Sequence, residues 1–446
     1  MPHRSEWPRR RTFLLPLIGA AALMSACGSS GAKAPATASG QHPGTLTSAS
    51  NCLTAGTCYS TQQFRTAYGV QPLLDRGIDG RGETVVLIEV GASASDPPKS
   101  TSVSQDLTGF DSLNDLPPAV IQVDNTVAPL TLPGLANLEE VEDIEIVHAI
   151  APAATIRVIL IPPFTQASPQ SLVTSLSSAF SLGLSRGSVI SISGSFGEHC
   201  FTPPQVAQLE STLTTAEADH VTVVSSSGDF GAVSKPCPGS TASSPVKEVG
   251  LPDSDPLVLG VGGTTLTVDR ASGGWAGETV WNMPPHPPLL PHSVASGGGF
   301  SKLFPRPDYQ DGVDGIGATR GVPDVAADAS PDTGMALVVG DGSEKYDLTS
   351  AGGTSAGAPL WAAVIALADQ DAGRHLGFVN AGIYAIGRSS SYGRAFHDVT
   401  RGNNTVIFPP TRIVGYPAAR GWDPVTGWGS PNAQVLVPLL VRYVGD

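Results

Sequence analysis

Charge is scarce in this chain. Only 14% of its 446 residues are Asp, Glu, Lys or Arg, and the acids outnumber the bases 39 to 25. A chain with net charge −14 and no basic surplus lacks the electrostatic footprint that a phosphate backbone requires, so nucleic-acid partners are excluded. Cysteine is also sparse, at five residues, and none lies in a C-x-x-C pair or beside a histidine pair, which argues against a zinc centre. The apolar run from Phe13 to Ala26 is too short to span a bilayer comfortably. No internal repeat and no second low-complexity linker divides the chain after residue 50, so one large domain is expected over residues 51–446.

What the first fifty residues do contain is processing information. Arg9-Arg10-Arg11 precedes the apolar run, and small residues lead into Cys27. Residues 1–26 resemble a bacterial lipoprotein export signal, with twin-arginine character at Arg10-Arg11 and lipid expected on Cys27. Residues 27–50 are rich in Gly, Ala, Ser, Thr and Pro and are expected to be a flexible tether. The expected location is the cell surface or the extracellular medium, with any membrane contact made only through Cys27, and a monomer is expected. Loss of the signal removes four arginines and one glutamate, which leaves the chain more acidic still and suits it to an acidic medium. Four cysteines then remain. Three pairings are open to them, of which Cys52–Cys58 with Cys200–Cys237 is the economical one in an oxidising compartment.

Strand-like and helix-like segments alternate along the domain. Strands are predicted at 83–90, 155–161, 188–193 and 221–225, with helices at about 138–150, 170–183 and 204–219. Apolar strands separated by helices predict an α/β fold, with a mainly parallel central sheet covered by helices on both faces. Active residues then belong at the carboxyl ends of the strands. Gly352-Gly353-Thr354-Ser355-Ala356-Gly357 reads as a sharp turn into an apolar helix with Ser355 at its start, where the helix dipole favours a nucleophile. The same letters fit the G-x-S-x-G elbow, so an α/β-hydrolase esterase with His375 or His397 as base is an alternative.

The acidic segment Glu139-Glu140-Val141-Glu142-Asp143-Ile144-Glu145 bears on that choice. At 100° per residue Glu139 and Asp143 point with Ile146 and Ile150 toward the core, while Glu142 and Glu145 point elsewhere. Two carboxyls at i and i+4 on a buried face repel, and one of them should hold a proton. A carboxylate still accepts a proton in acid, where histidine is already protonated, so Glu139 suits the general base for Ser355 and Asp143 its partner.

These segments together resemble the sedolisin family of serine-carboxyl peptidases, which have an enlarged subtilisin-like fold. The likeness runs from about Cys52 to Pro431. It is carried by Glu139 and Asp143 with Ala149-Ile150-Ala151-Pro152, by Ser226-Ser227-Gly228-Asp229, by Ser296-Gly297-Gly298-Gly299-Phe300-Ser301, by Gly321-Val322-Pro323-Asp324-Val325 and by Gly353-Thr354-Ser355. The resemblance implies an acid-active endopeptidase on peptide or protein substrates, with Ser355 as nucleophile, Glu139 as base, Asp143 as its partner and Asp229 as oxyanion donor. It also implies one structural Ca²⁺, held by carboxylates of Asp398 and Asp423 and carbonyls of Val399, Ala419 and Gly421. Glu89 matches an acid that extends the carboxylate network in some members. In those members a tryptophan follows the Ser-Ile-Ser strand, whereas Ser193 here continues into Gly194. Members usually carry a long folded propeptide, and no such domain is evident between Cys27 and residue 51. A conventional subtilisin would need a His-Gly pair, and none of the nine histidines precedes glycine. The non-enzymatic alternative is a surface-anchored binding lipoprotein that keeps a peptidase fold.

Overall fold

A computed structural model gives the fold, and it describes residues 45–91, 103–128, 138–163, 167–185, 187–234, 237, 245–288, 290–340 and 345–444. The export signal, Cys27 and the tether as far as residue 44 lie outside the described residues. The described chain opens with β1 (Thr45–Asn51) and goes on to the strands of an eight-stranded sheet. These are β2 (Thr84–Val90), β3 (Val120–Asp124), β4 (Thr155–Ile161), β5 (Val189–Ile192), β6 (Thr222–Ser226), β7 (Val258–Val268), β8 (Trp275–Val280) and β9 (Val325–Asp328).

The strand order is β8-β7-β6-β5-β2-β4-β3, with β9 also paired to β7, and only β8 runs antiparallel to its neighbour. Buried strands of this kind feed both faces of a sheet. In β2, Val85 and Leu87 join one core cluster while Val86 and Ile88 join another. The first cluster is closed by helices α1 (Leu138–Ile150) and α4 (Thr354–Ala372), the second by α2 (Pro169–Leu184) and α3 (Pro203–Ala218). Each helix of the second pair begins where the sequence supplies a cap followed by proline: Ser168 before Pro169, and Thr202 before Pro203. The result is the three-layer α/β architecture expected.

The chain departs from β2 toward β3 and β4 on one side, then returns to lay β5 on the other. Reversal around β2 opens a crevice at the carboxyl ends of β2, β5 and β6. Glu89 stands near the end of β2, Ser193 just past β5, and Asp229 three residues past β6.

Two expectations need correction. The last part of the presumed tether is a strand, since β1 runs parallel to β11 (Lys345–Thr349), which also pairs with β10 (Leu337–Gly340). An open strand edge recruits extended backbone even from a polar segment. The acidic helix also does not turn its other acids to water, because Glu140, Glu142 and Glu145 are buried along with Asp143. α1 is wedged against α4, β2, β10 and the helix Val103–Asn114, so sides that a surface helix would give to water are covered. Glu145 Oε2, for instance, accepts the Val338 N–H at 2.9 Å. The two disulfides are Cys52–Cys58 and Cys200–Cys237, as expected.

Candidate active site

Ser355 is the second residue of α4, and the turn before it depends on glycine. Gly353 has φ +111°, and a Cβ there would lie 2.9 Å from Asp229 Oδ2. Both the conformation and the space exclude a side chain. The Ser355 hydroxyl donates to Glu139 Oε1 at 2.8 Å, which joins the first turns of α4 and α1. Glu139 is the one acid of α1 that is only half-buried.

Behind this pair lies a set of carboxyls that hold their protons. Burial, and then the charge of Glu139, push the Asp143 carboxyl up to about 8. Glu89 is pushed well above the usual carboxylate range by burial and by its direct contact with Asp143, and Glu142 by burial and the charges of Asp143 and Glu139. The dominant cause throughout is loss of water around a group that would otherwise ionise. Like charges at this spacing share few protons as a unit. The geometry leaves Glu139 as the member of the set in contact with the Ser355 hydroxyl.

Ser193 completes the arrangement, and sequence reasoning had assigned it no role. Its hydroxyl donates to Asp143 Oδ2 at 2.5 Å and lies 3.3 Å from the Ser355 carbonyl oxygen. That carbonyl is available because residue 359, its partner in a regular helix, is proline and has no N–H. The signal that could have found Ser193 is its place, one residue beyond a parallel strand's carboxyl end.

Asp229 sits in the turn after β6. Its Oδ1 accepts the Thr354 N–H at 2.8 Å and the Thr354 hydroxyl at 2.9 Å, which fixes the carboxyl beside the Ser355 turn. The Ser-Gly-Gly-Gly motif clasps this turn from behind. Gly297 N–H donates to the Gly228 carbonyl at 2.7 Å, and a Cβ on Gly297 would fall 1.9 Å from the Ser227 carbonyl oxygen. A small pocket of about 10 Å³, room for about one water, opens next to Asp229, between this turn and residues 195 and 250.

The histidines of the esterase alternative lie elsewhere. His375 follows the far end of the 19-residue α4, roughly 30 Å from its start at the rise of a helix, and faces Glu83. His397 stacks on Trp275 at 4.3 Å. The triad on which that alternative rests is not assembled through the Ser355 hydroxyl, whose partner is Glu139.

The five oxygen ligands expected for Ca²⁺ fall in one loop region, tied by the pairing of Phe396–His397 with Ser430–Pro431. The Gly421 N–H reaches both oxygens of Asp398 at 3.3 Å, and Asp423 accepts N–H groups of Ala419, Val425 and Thr426. Among the described residues no cation pairs with either aspartate, and no N–H or O–H group donates to the carbonyls of Val399, Ala419 or Gly421. Two carboxylates and three unclaimed carbonyls make an all-oxygen donor set that fits a hard cation.

Comparison with known proteins finds relatives that are named as peptidases. The chain is 33% identical to kumamolisin from Bacillus sp. (strain MN-32) over 397 residues, 87% of this chain and 64% of that one. It is 35% identical to sedolisin from Pseudomonas sp. (strain 101) over 272 residues, 59% of this chain and 43% of the relative. Human tripeptidyl-peptidase 1 is 28% identical over 264 residues, 55% of this chain and 42% of that one. This chain therefore spans less than two thirds of the length of these relatives. A solved structure of Pseudomonas sedolisin, a serine-carboxyl proteinase complexed with two molecules of pseudo-iodotyrostatin, superposes with TM-score 0.69 at 28% identity, covering 86% of this chain and 97% of that one. No protein-family model matches the chain.

Proposed function

This chain belongs to the sedolisin family, and from that premise we propose that it is an exported serine-carboxyl endopeptidase working in acid. The observation that carries the reading is the 2.8 Å hydrogen bond from the Ser355 hydroxyl to Glu139, backed by carboxyls that hold their protons. Glu139 takes the Ser355 proton as Oγ attacks the peptide carbonyl. The carboxyl of Asp229, oriented by Thr354, donates a hydrogen bond to the developing oxyanion, which a protonated acid does and a carboxylate cannot. Collapse of the tetrahedral adduct breaks the C–N bond, with the proton passing from Glu139 to the leaving amine. Water then repeats the sequence on the acyl-enzyme, and Ser355 regains its proton.

Activity is bounded on both sides in this scheme: Glu139 must be able to accept a proton while Asp229 still holds one. The test is cleavage of internally quenched peptides from about pH 3 to about pH 7, with Ser355→Ala and Glu139→Gln alongside wild type. Loss of either group is expected to lower kcat by about 100- to 10,000-fold, with the wild-type optimum on the acid side. A neutral optimum, or full activity in Glu139→Gln, would overturn the proton assignment. We assign the loop of Asp398 and Asp423, with the carbonyls of Val399, Ala419 and Gly421, to one structural Ca²⁺. A bound cation there neutralises two carboxylates and pins the segment that follows α4.

A further inference from the structure

The two disulfides sit in different company. Among the described residues no hydrogen-bonding side chain meets the sulfurs of Cys52–Cys58, and both of its cysteines are buried. Cys200–Cys237 instead has an imidazole against it. His199 Nε2 lies 3.3 Å from Cys237 Sγ and 3.9 Å from Cys200 Sγ.

The far side of that ring is held. His199 Nδ1 meets Glu248 Oε1, and the Ser234 hydroxyl donates to the same oxygen at 2.7 Å. The Glu248 side chain is 1% exposed, with Lys302 Nζ 3.6 Å from its other oxygen, so it is a fixed anchor. A carboxylate on Nδ1 sets the ring so that Nε2 is the nitrogen free to take or give a proton. Here Nε2 faces sulfur. The His199 side chain is 41% exposed and Cys237 is half-buried, so a small molecule reaches this disulfide from solvent.

We propose that Cys200–Cys237 is an exchange site for a low-molecular-weight thiol, with His199 carrying the proton. Nε2 takes the proton of the incoming thiol, whose sulfur attacks Cys237 Sγ. A new S–S bond forms there, the Cys200–Cys237 bond breaks, and its electron pair goes to Cys200 Sγ. Nε2 then passes the proton to that sulfur. A second thiol attacks the first one's sulfur in the mixed disulfide, which releases Cys237 as a thiol. Two small thiols are oxidised to one disulfide, and the protein disulfide is reduced. A departing sulfur that is met by a proton donor leaves faster. The bond spans a sequence separation of 37, and the closed segment holds α3, β6 and Asp229. Glu248 also lines the small pocket beside Asp229. Opening the bond therefore frees the segment that carries the oxyanion donor, a consequence that rests on the peptidase reading above.

The test exposes the oxidised protein to reduced glutathione at about pH 7, quenches with iodoacetamide and reads each cysteine by mass spectrometry. Cys200 and Cys237 are expected to be modified well before Cys52 and Cys58, with glutathione captured on Cys237. His199→Ala is expected to slow the opening about 10-fold, and Glu248→Gln to slow it in the same direction. Ser355-dependent cleavage is expected to fall about 10- to 100-fold as the bond opens and to return on reoxidation. An opening rate that His199→Ala leaves unchanged, or one no faster than that of Cys52–Cys58, overturns the exchange site. If His199→Ala does not fold, Glu248→Gln decides on the same readout. Full activity with the bond open overturns its control of the peptidase. Absence of Ser355-dependent cleavage in the oxidised protein overturns the peptidase reading, while the opening rates still decide the exchange site.

Discussion

Asp324 and Asp143 are both fully buried aspartates within the same fold, and they are solved in opposite ways. Asp324 is surrounded by donors: Arg320 reaches its two oxygens at 2.6 and 2.7 Å, Tyr384 donates to Oδ1 and the Gly260 N–H to Oδ2, each at 2.8 Å. Asp143 has one hydroxyl donor, Ser193, and otherwise faces acids, Glu139 and Glu89 foremost. The first is satisfied by a counter-charge and the second by keeping its proton. A satisfied pair holds strands together; a crowded set of acids raises the pH at which its protons leave.

Proton dependence separates the two regions most widely. A raised carboxyl binds a proton in the folded chain at a pH where the unfolded chain has released it. Its contribution is therefore complete below the unfolded value and lost as pH rises through the folded one. For Asp143 that window runs from 3.8 to about 8, and Asp328 and Asp369 add windows reaching about 7 and about 8. At about 1.4 kcal/mol per proton per pH unit, stability is expected to fall by several kcal/mol between about pH 4 and about pH 7. Denaturant midpoints measured across that range check this. Asp143→Asn should flatten the slope and Asp324→Asn should not. Equal stability at both ends would refute the stored-proton account.

Breaking each site by one substitution is the next contrast. Arg320→Met strands a buried charge and is expected to cost about 3–5 kcal/mol of stability. Asp143→Asn removes a charge the fold was already avoiding, so at about pH 4, where Asp143 keeps its proton, its loss should appear in kcat and hardly in the denaturation midpoint. If both variants unfold alike, the two aspartates do the same job after all.

Asp398 and Asp423 offer a third solution, with backbone N–H groups on the carboxylates and the carbonyls of Val399, Ala419 and Gly421 beside them, the set proposed above for one Ca²⁺. Chelation with EGTA is expected to lower stability by about 2–3 kcal/mol relative to excess calcium. The shift in Tm should vanish in Asp398→Ala. A Tm indifferent to calcium in wild type would remove the site.

Local signals carried the layers of the fold. Strands and helices fall within a residue or two of the predicted ranges because apolar runs and Ser-Pro or Thr-Pro starts are written in consecutive residues. The meeting of Ser355 with Glu139 was legible for a different reason: an acidic helix that also carries Ile146 and Ile150 has to turn some acids inward. Helical geometry by itself left Glu142 and Glu145 outside the core, since the cover over their side of α1 comes from β10, almost two hundred residues later in the chain. Ser193 and Arg320 escaped notice for the same reason. Each is an ordinary polar residue until the fold brings it to an acid or a buried carboxylate.

Pro359 has a further consequence. By withholding one N–H it leaves the Ser355 carbonyl to be answered by the Ser193 hydroxyl just past β5, which has a single hydrogen and two oxygens within reach. With Asp143 ionised, that hydrogen belongs to the acid; with Asp143 protonated, the acid itself can be the donor and the hydrogen is released to the helix. The hydrogen bond that reaches the first turn of α4 thus follows the protonation of Asp143, a residue on another helix.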